Sequence, residues 1–221
     1  MTTAADIQPS AGGVRIDHTT TSGTFSLDGG TWDVENNVWV VGDEETCVVV
    51  DAPHDAAPIL ELVGDRRLTH VLLTHAHDDH VTVVPQLLAA HPGAQVALHP
   101  DDRVLWSQSH PDLEPTQDLA DGDVITVGDV ELRLLHTPGH APGACCFHAP
   151  ALGVVFTGDT LFQGGPGATG RSYSDFPTIV DSIRDRLLSL PPETVVLTGH
   201  GDSTTIGAEQ PDLDEWVRRG H

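Results

Sequence analysis

Short apolar runs broken by polar turns govern the pattern of this chain, and they predict strands more often than helices. Asn37 to Val41 and Thr46 to Asp51 flank the polar turn Gly42-Asp43-Glu44-Glu45, which reads as a hairpin. Val124 to Val127 and Val130 to His136, around Gly128-Asp129, read as a second, and Ala144 to His148 with Gly153 to Thr157 as a third. Leu68 to Thr74 is apolar almost throughout, which suits a strand covered on both faces. Gln95 to His99 and Thr194 to Leu197 complete the expected strands. Helices are expected over His54 to Val63, Asp79 to Ala90, Asp101 to Gln108 and Asp214 to Arg219. Phe176, Ile179, Val180, Ile183 and Leu187 recur at helical spacing and predict an amphipathic helix over Phe176 to Leu190. Hairpins interleaved with helices predict an α/β architecture with two sheets. Residues 1–13 are small and polar and read as a flexible tail, leaving 14–221 as a single domain.

The chemistry gathers where these runs end. Leu68 to Thr74 runs into His75-Ala76-His77-Asp78-Asp79-His80. His75 and His77, two apart in extended chain, point to one side and can share an ion. Asp79 and His80 follow as the chain turns into a helix, diverge from the first pair and can serve a second ion. Three more runs end in a turn that presents a ligand type: Thr137-Pro138-Gly139-His140, Thr157-Gly158-Asp159-Thr160 and Thr198-Gly199-His200-Gly201. Strand ends are where α/β folds build sites.

These segments, in this order, resemble the metallo-β-lactamase fold superfamily, and within it the glyoxalase II-type thioester hydrolases, over about Asn36 to Glu209. The resemblance implies an αββα sandwich, two sheets face to face with helices outside. It implies one metal on His75, His77 and His140, a second on Asp79, His80 and His200, and Asp159 bridging the two. Zinc is the first expectation, with iron and manganese open, because these ligand types do not choose between them. The implied reaction is attack by hydroxide on a thioester carbonyl, with Asp79 aiming the nucleophile. Asp78 is expected as a solvated carboxylate at a helix start. The loop after Asp159 borders the substrate in the family. Arg171 and Tyr173 are the expected contacts there, unless Arg171 pairs with Asp175 and Tyr173 only packs. A mononuclear-iron persulfide dioxygenase-like enzyme is the strongest rival. A β-lactamase or lactonase-like hydrolase and a non-catalytic metal-binding protein stand behind it.

Charge changes the picture of the substrate. The chain of 221 residues carries 33 acidic residues against 10 basic ones, all arginine, for a formal net charge of -23. Such a surface repels phosphate backbones, so neither nucleic acid nor an anionic membrane is an expected partner. The long glyoxalase II form has a C-terminal helical domain whose basic residues hold the glutathione carboxylates. Here only about twenty residues follow His200. A small-molecule thioester of a neutral, mycothiol-type thiol is therefore the expected substrate. The first residues lack the basic and apolar regions of a secretory signal. Cys47, Cys145 and Cys146 are few, odd in number and partly adjacent, so a cytoplasmic protein with reduced thiols is expected.

Overall fold

The computed structural model describes residues 7–220. The N-terminal half forms one sheet: β1 (Arg15–Leu27), β2 (Gly30–Gly42), β3 (Thr46–Val50), β4 (Arg67–Leu72), β5 (Gln95–Leu98) and β6 (Gln117–Asp118), in that order. β1 to β3 pair antiparallel and β3 to β6 parallel. The parallel connections carry helices α1 (Ala56–Val63), α2 (Asp78–Val81), α3 (Val84–Ala90) and α4 (Arg103–Ser109). The second sheet holds β7 (Val124–Val127), β8 (Val130–His136), β9 (Cys145–Ala149) and β10 (Val154–Gly158), antiparallel in sequence. A small hairpin, β11 (Leu161–Phe162) and β12 (Gly165–Pro166), and α5 (Phe176–Ser182) follow. β13 (Val195–Thr198) then pairs parallel to β10, β14 (Thr204–Thr205) closes that edge, and α6 (Ile206–Glu209) and α7 (Leu213–Arg219) end the chain.

Three cores make this an αββα sandwich. Between the sheets lie Trp39, Val48, Leu72, Leu132, Phe147, Phe156 and Leu197. Ile59, Val63, Leu87, Leu105 and Trp106 cover the outer face of the first sheet, and Ile179, Ile183, Leu187 and Trp216 that of the second. Both faces of each sheet's centre are buried, which is why β3, β4, β10 and β13 read as apolar runs without alternation.

Several elements differ from expectation for identifiable reasons. The helix expected over Asp79 to Ala90 breaks into α2 and α3 at Thr82-Val83, before Pro85, whose ring cannot sit inside a continuing helix. The helix expected over Phe176 to Leu190 starts as placed, with Asp175 as its N-cap, but widens to a π-turn over Ile183–Leu187. The first helix begins at Ala56, because Asp55 caps it by accepting from Ala57 N. The long hairpin β1–β2 was unexpected. Its tip, Asp28-Gly29, has φ of 52° and 77°, the left-handed pair of a tight hairpin turn. Of the expected tail, residues 1–6 lie outside the described residues. Residues 10–14 form a turn on the body: Ser10 Oγ and Gly12 N both donate to the Asp129 carboxylate.

Candidate metal centre

All four ligand-bearing turns emerge at one end of the sandwich. After β4, extended backbone presents His75 and His77, and α2 begins at once, placing Asp79 and His80 on its first turn. β8 leads to His140, and β10 and β13, parallel neighbours, end side by side in Asp159 and His200. Gly199 is required there: a Cβ would meet Asp159 Oδ1 and the His80 ring. Three groupings result: His75–His77–His140, Asp79–His80–His200, and Asp159 beside His75 and His80. His75, His77, Asp79, His80 and His140 are buried.

Hydrogen bonds behind the site fix which imidazole nitrogen faces inward. His140 Nδ1 donates to Ala168 O (2.8 Å) and His200 Nδ1 to Glu35 O (2.7 Å). His80 Nδ1 donates to Asp51 Oδ2 (2.9 Å). Thr74 Oγ1 donates to that same carboxylate, so it accepts from His75 Nδ1 (3.1 Å). When neutral, these four histidines therefore present Nε2 lone pairs to the centre. His77 Nδ1 lies 3.0 Å from both His75 Nε2 and His140 Nε2. Three imidazole nitrogens converging this closely need a proton or a cation between them. Burial first, then the neighbouring His140, pushes His77 down to about 3, and burial also depresses His75 and His140, so a proton is disfavoured there.

The other half of the site attracts positive charge. Desolvation opposes protonation of His80, but Asp79, Asp159 and Asp51 outweigh it and raise its pKa well above the ordinary value. His200 is raised, against the same desolvation, to about 10 by Asp159 and Asp79. Asp159 Oδ1 lies 3.4 Å from His80 Nε2; Oδ2 lies 3.4 Å from His200 Nε2 and 3.6 Å from His140 Nε2. The buried Oδ1 has no hydrogen-bond partner. An unpaired carboxylate oxygen between converging lone pairs suits a cation. The donor set therefore fits two divalent ions, with Asp159 facing both triads.

Four residues that are not ligands buttress the site. Asn36 Nδ2 donates to Asp79 O and Oδ2. Asp51, at the end of β3, sits at φ 61° and holds Thr74 and His80. Buried Asp102 accepts from Ala76 N (2.8 Å) and Gly143 N (2.5 Å), tying the loop of His75 and His77 to that of His140. Asp78 is not a free solvated carboxylate: it accepts from Ser26 N (3.1 Å) and anchors the β1–β2 hairpin beside the site. Asp51 ends a predicted strand, as the ligands do; the signal was present but unread. Asp102 carried none.

A cavity of about 580 Å³ opens over the ligands. The hairpin supplies Phe25, Leu27, Trp32 and Val34 as its wall, and Phe162 and Arg171 face them. The Arg171 guanidinium lies 3.7 Å from the Trp32 ring centroid and 5.3 Å from that of Phe25. It does not pair with Asp175, whose carboxylate caps Thr178. Its Nη1 is buried and unpartnered. Tyr173 is exposed and lines no part of this cavity. Cys47, Cys145 and Cys146 are buried free thiols whose pKa burial raises. A separate group, His99, Asp101 and His136, lies where the end of β5 meets the end of β8. Its imidazoles stack at 4.0 Å and 11°, with His136 Nε2 donating to Pro142 O.

An αββα sandwich with such a centre at its strand ends defines a metallo-hydrolase architecture. The chain belongs to the metallo-beta-lactamase superfamily, whose pattern it matches over residues 31–200. It is 33% identical to the hydroxyacylglutathione hydrolase GloC of Haemophilus influenzae over 76% of this chain and 86% of that one. Among solved structures it is similar to a di-iron-bound form of TTHA1623 (TM-score 0.72, 32% identity, 86% of this chain and 96% of that one). It is also similar to ETHE1 from Myxococcus xanthus (TM-score 0.72, 26% identity, 90% and 87%). Among the described residues no helix is long and apolar enough to cross a membrane.

Proposed function

We propose that this chain hydrolyses the thioester of a small, weakly charged thiol, using two divalent cations. The observation that carries this reading is the pair of triads, each built from inward-facing lone pairs, with Asp159 between them. Two cations held there supply Lewis acidity, lowering the pKa of a water toward ~7 and polarising a carbonyl oxygen. His75, His77 and His140 would hold one ion and Asp79, His80 and His200 the other; zinc, iron and manganese all suit these ligands. Asp79 lines the cavity floor and is placed to accept a hydrogen bond from the attacking water. A thiolate of pKa about 8.5 leaves without needing a proton, whereas an amide nitrogen needs a general acid. The apolar wall holds the acyl group or the body of the thiol, and the Arg171 guanidinium, which lines the cavity, is the cationic donor for a substrate oxygen.

The cavity supports a thiol carrying little negative charge. Among the lining residues that are not ligands, Glu35 and Asp202 are acidic and Arg171 is the one cationic side chain, in a molecule of net charge -23. Away from the metal ligands, the two carboxylates of glutathione find one cationic side chain and two like charges. The likeness to GloC supports thioester chemistry; the choice of a neutral thiol rests on this chain's own residues. We place the enzyme in the cytoplasm, where such thiols and reduced cysteines coexist.

The likeness to ETHE1 favours, as a second reading, a mononuclear-iron persulfide dioxygenase-like enzyme. The Asp79–His80–His200 triad weighs against it, because one ion leaves that triad without a role. The test is hydrolysis of one acyl group carried on glutathione and on a neutral, sugar-like thiol. A higher kcat/KM for the neutral thioester, with the gap narrowing as salt is raised, is expected. Equal or higher kcat/KM for the glutathione ester at all ionic strengths overturns the neutral-thiol reading. Oxygen consumption with a persulfide and no thioester hydrolysis overturns the hydrolase.

A further inference from the structure

Behind the second triad a hydrogen-bond chain runs away from the cavity. Asn36 is fully buried. Its Nδ2 donates to Asp79 O (3.0 Å) and Asp79 Oδ2 (3.1 Å), and lies 3.3 Å from His80 Nε2 and 3.4 Å from His200 Nε2. Its Oδ1 accepts from His54 Nε2 at 2.7 Å. The two ends of an amide are almost the same shape, so hydrogen bonds alone decide which faces the carboxylate. Reversed, Asn36 would set Oδ1 against two acceptors of Asp79.

His54 is built into this position. It lies in the left-handed region, φ 45°, where a residue with a side chain is held only by its surroundings. Gly23 of β1 presses on its ring: a Cβ there would collide with His54 Nδ1. Asp79 is a member of the second triad only, and no hydrogen bond connects His54 or Asn36 to His75, His77 or His140 among the described contacts.

We propose that His54 is a positioning residue for the second cation: through Asn36 it fixes the Asp79 carboxylate and so sets the affinity of the Asp79–His80–His200 triad separately from that of His75–His77–His140. This assignment rests on the two-cation reading above. Partners behind a metal ligand, when removed, cost about 10–100-fold in metal affinity.

The experiment titrates the full chain, stripped with a chelator, with zinc chloride by calorimetry. His140→Ala and His200→Ala assign the two binding events to the two triads. His54→Ala is expected to weaken the second event about 10–100-fold and leave the first unchanged. His54→Gln, whose amide nitrogen takes the place of Nε2, restores it. Gly23→Ala, which displaces the ring without removing it, gives the same selective loss and serves if His54→Ala does not fold. Two ions in the wild type with the second event unchanged in the variants, both events weakened equally, or no rescue by glutamine overturns the assignment alone. A wild type that takes up a single ion overturns the two-cation reading and the assignment with it.

Discussion

Asp159 is the residue on which the two triads meet, and its environment says what its loss does. It comes from the end of β10, it is held well below the usual carboxylate range by His200 and His80 against strong desolvation, and while both its oxygens face the second triad, Oδ2 also reaches His140 of the first. Asp159→Ala should empty both ion positions and lower kcat/KM by more than about a hundredfold. Asp78→Ala, which removes the Ser26 anchor and a bond to Asp79 N but no ligand, should leave the metal content within experimental error; elemental analysis of the two variants distinguishes them, and equal losses would show the roles to be misassigned. Asp102 gives a test by pH. Burial, outweighing the hydrogen bonds from Gly143 and Ala76, pushes its carboxyl up to about 6 from 3.8. Between those values the folded chain keeps a proton that the unfolded chain has released. Stability therefore falls as pH rises through this window, by on the order of 2–3 kcal/mol, and is flat above it. Asp102→Asn has no such proton. The stability of the wild type minus that of the variant, from urea unfolding of stripped protein, should drop by that amount between about pH 4 and pH 6.5. A difference independent of pH would contradict the buried, raised carboxyl.

The elements divide into those whose sequence announces them and those set by what they pack against. β3, β4, β10 and β13 were legible because strands covered on both faces must be apolar, and the ligands were legible because they follow β4, β10 and β13 or, for His140, the alternating strand β8. The β1–β2 hairpin was not. Most of β1 is exposed or half-exposed, so Thr19, Thr20, Thr21, Ser22 and Thr24 show no apolar alternation. Its one local signal was Asp28-Gly29 at the tip. Yet this hairpin makes one wall of the cavity, and Asp28 accepts from Ser172 N, joining it to the loop that carries Arg171. Arg171 was expected on the loop after Asp159 and lines the cavity, but its stacking on Trp32 needed the hairpin. Arg171→Met should raise KM about tenfold or more with kcat little changed, if one charge-assisted hydrogen bond of ~1.5–3 kcal/mol goes to the substrate. Trp32→Ala, which frees the guanidinium and trims the apolar wall but leaves the charge in place, should raise KM by a smaller factor, of about 2–5. A fall in kcat at constant KM for either variant would move Arg171 from binding to chemistry. Asn36, His54 and Asp102 were illegible for another reason: their partners lie 18 to 44 residues away or more, across turns that no local pattern specifies.

At the scale of the molecule, the sandwich brings lone pairs and carboxylates from both sheets to one end, an arrangement that cations would join. Five histidines and two aspartates facing one another make the folded chain bind ions that the unfolded chain does not. Chelation should therefore lower the melting temperature, by the loss of about 4 kcal/mol for an ion present at a thousand times its Kd. Zinc, manganese or ferrous iron added back should restore it, and a melting temperature unmoved by chelator would show that the centre does not hold the halves together. The two-cation centre itself is tested most directly by counting ions: elemental analysis of freshly purified, unchelated protein, with anomalous scattering from its crystals to place them. Two ions per chain are predicted, one among His75, His77 and His140, one among Asp79, His80 and His200, with Asp159 touching both. One tightly bound iron per chain, with His80 and His200 unliganded, would contradict it.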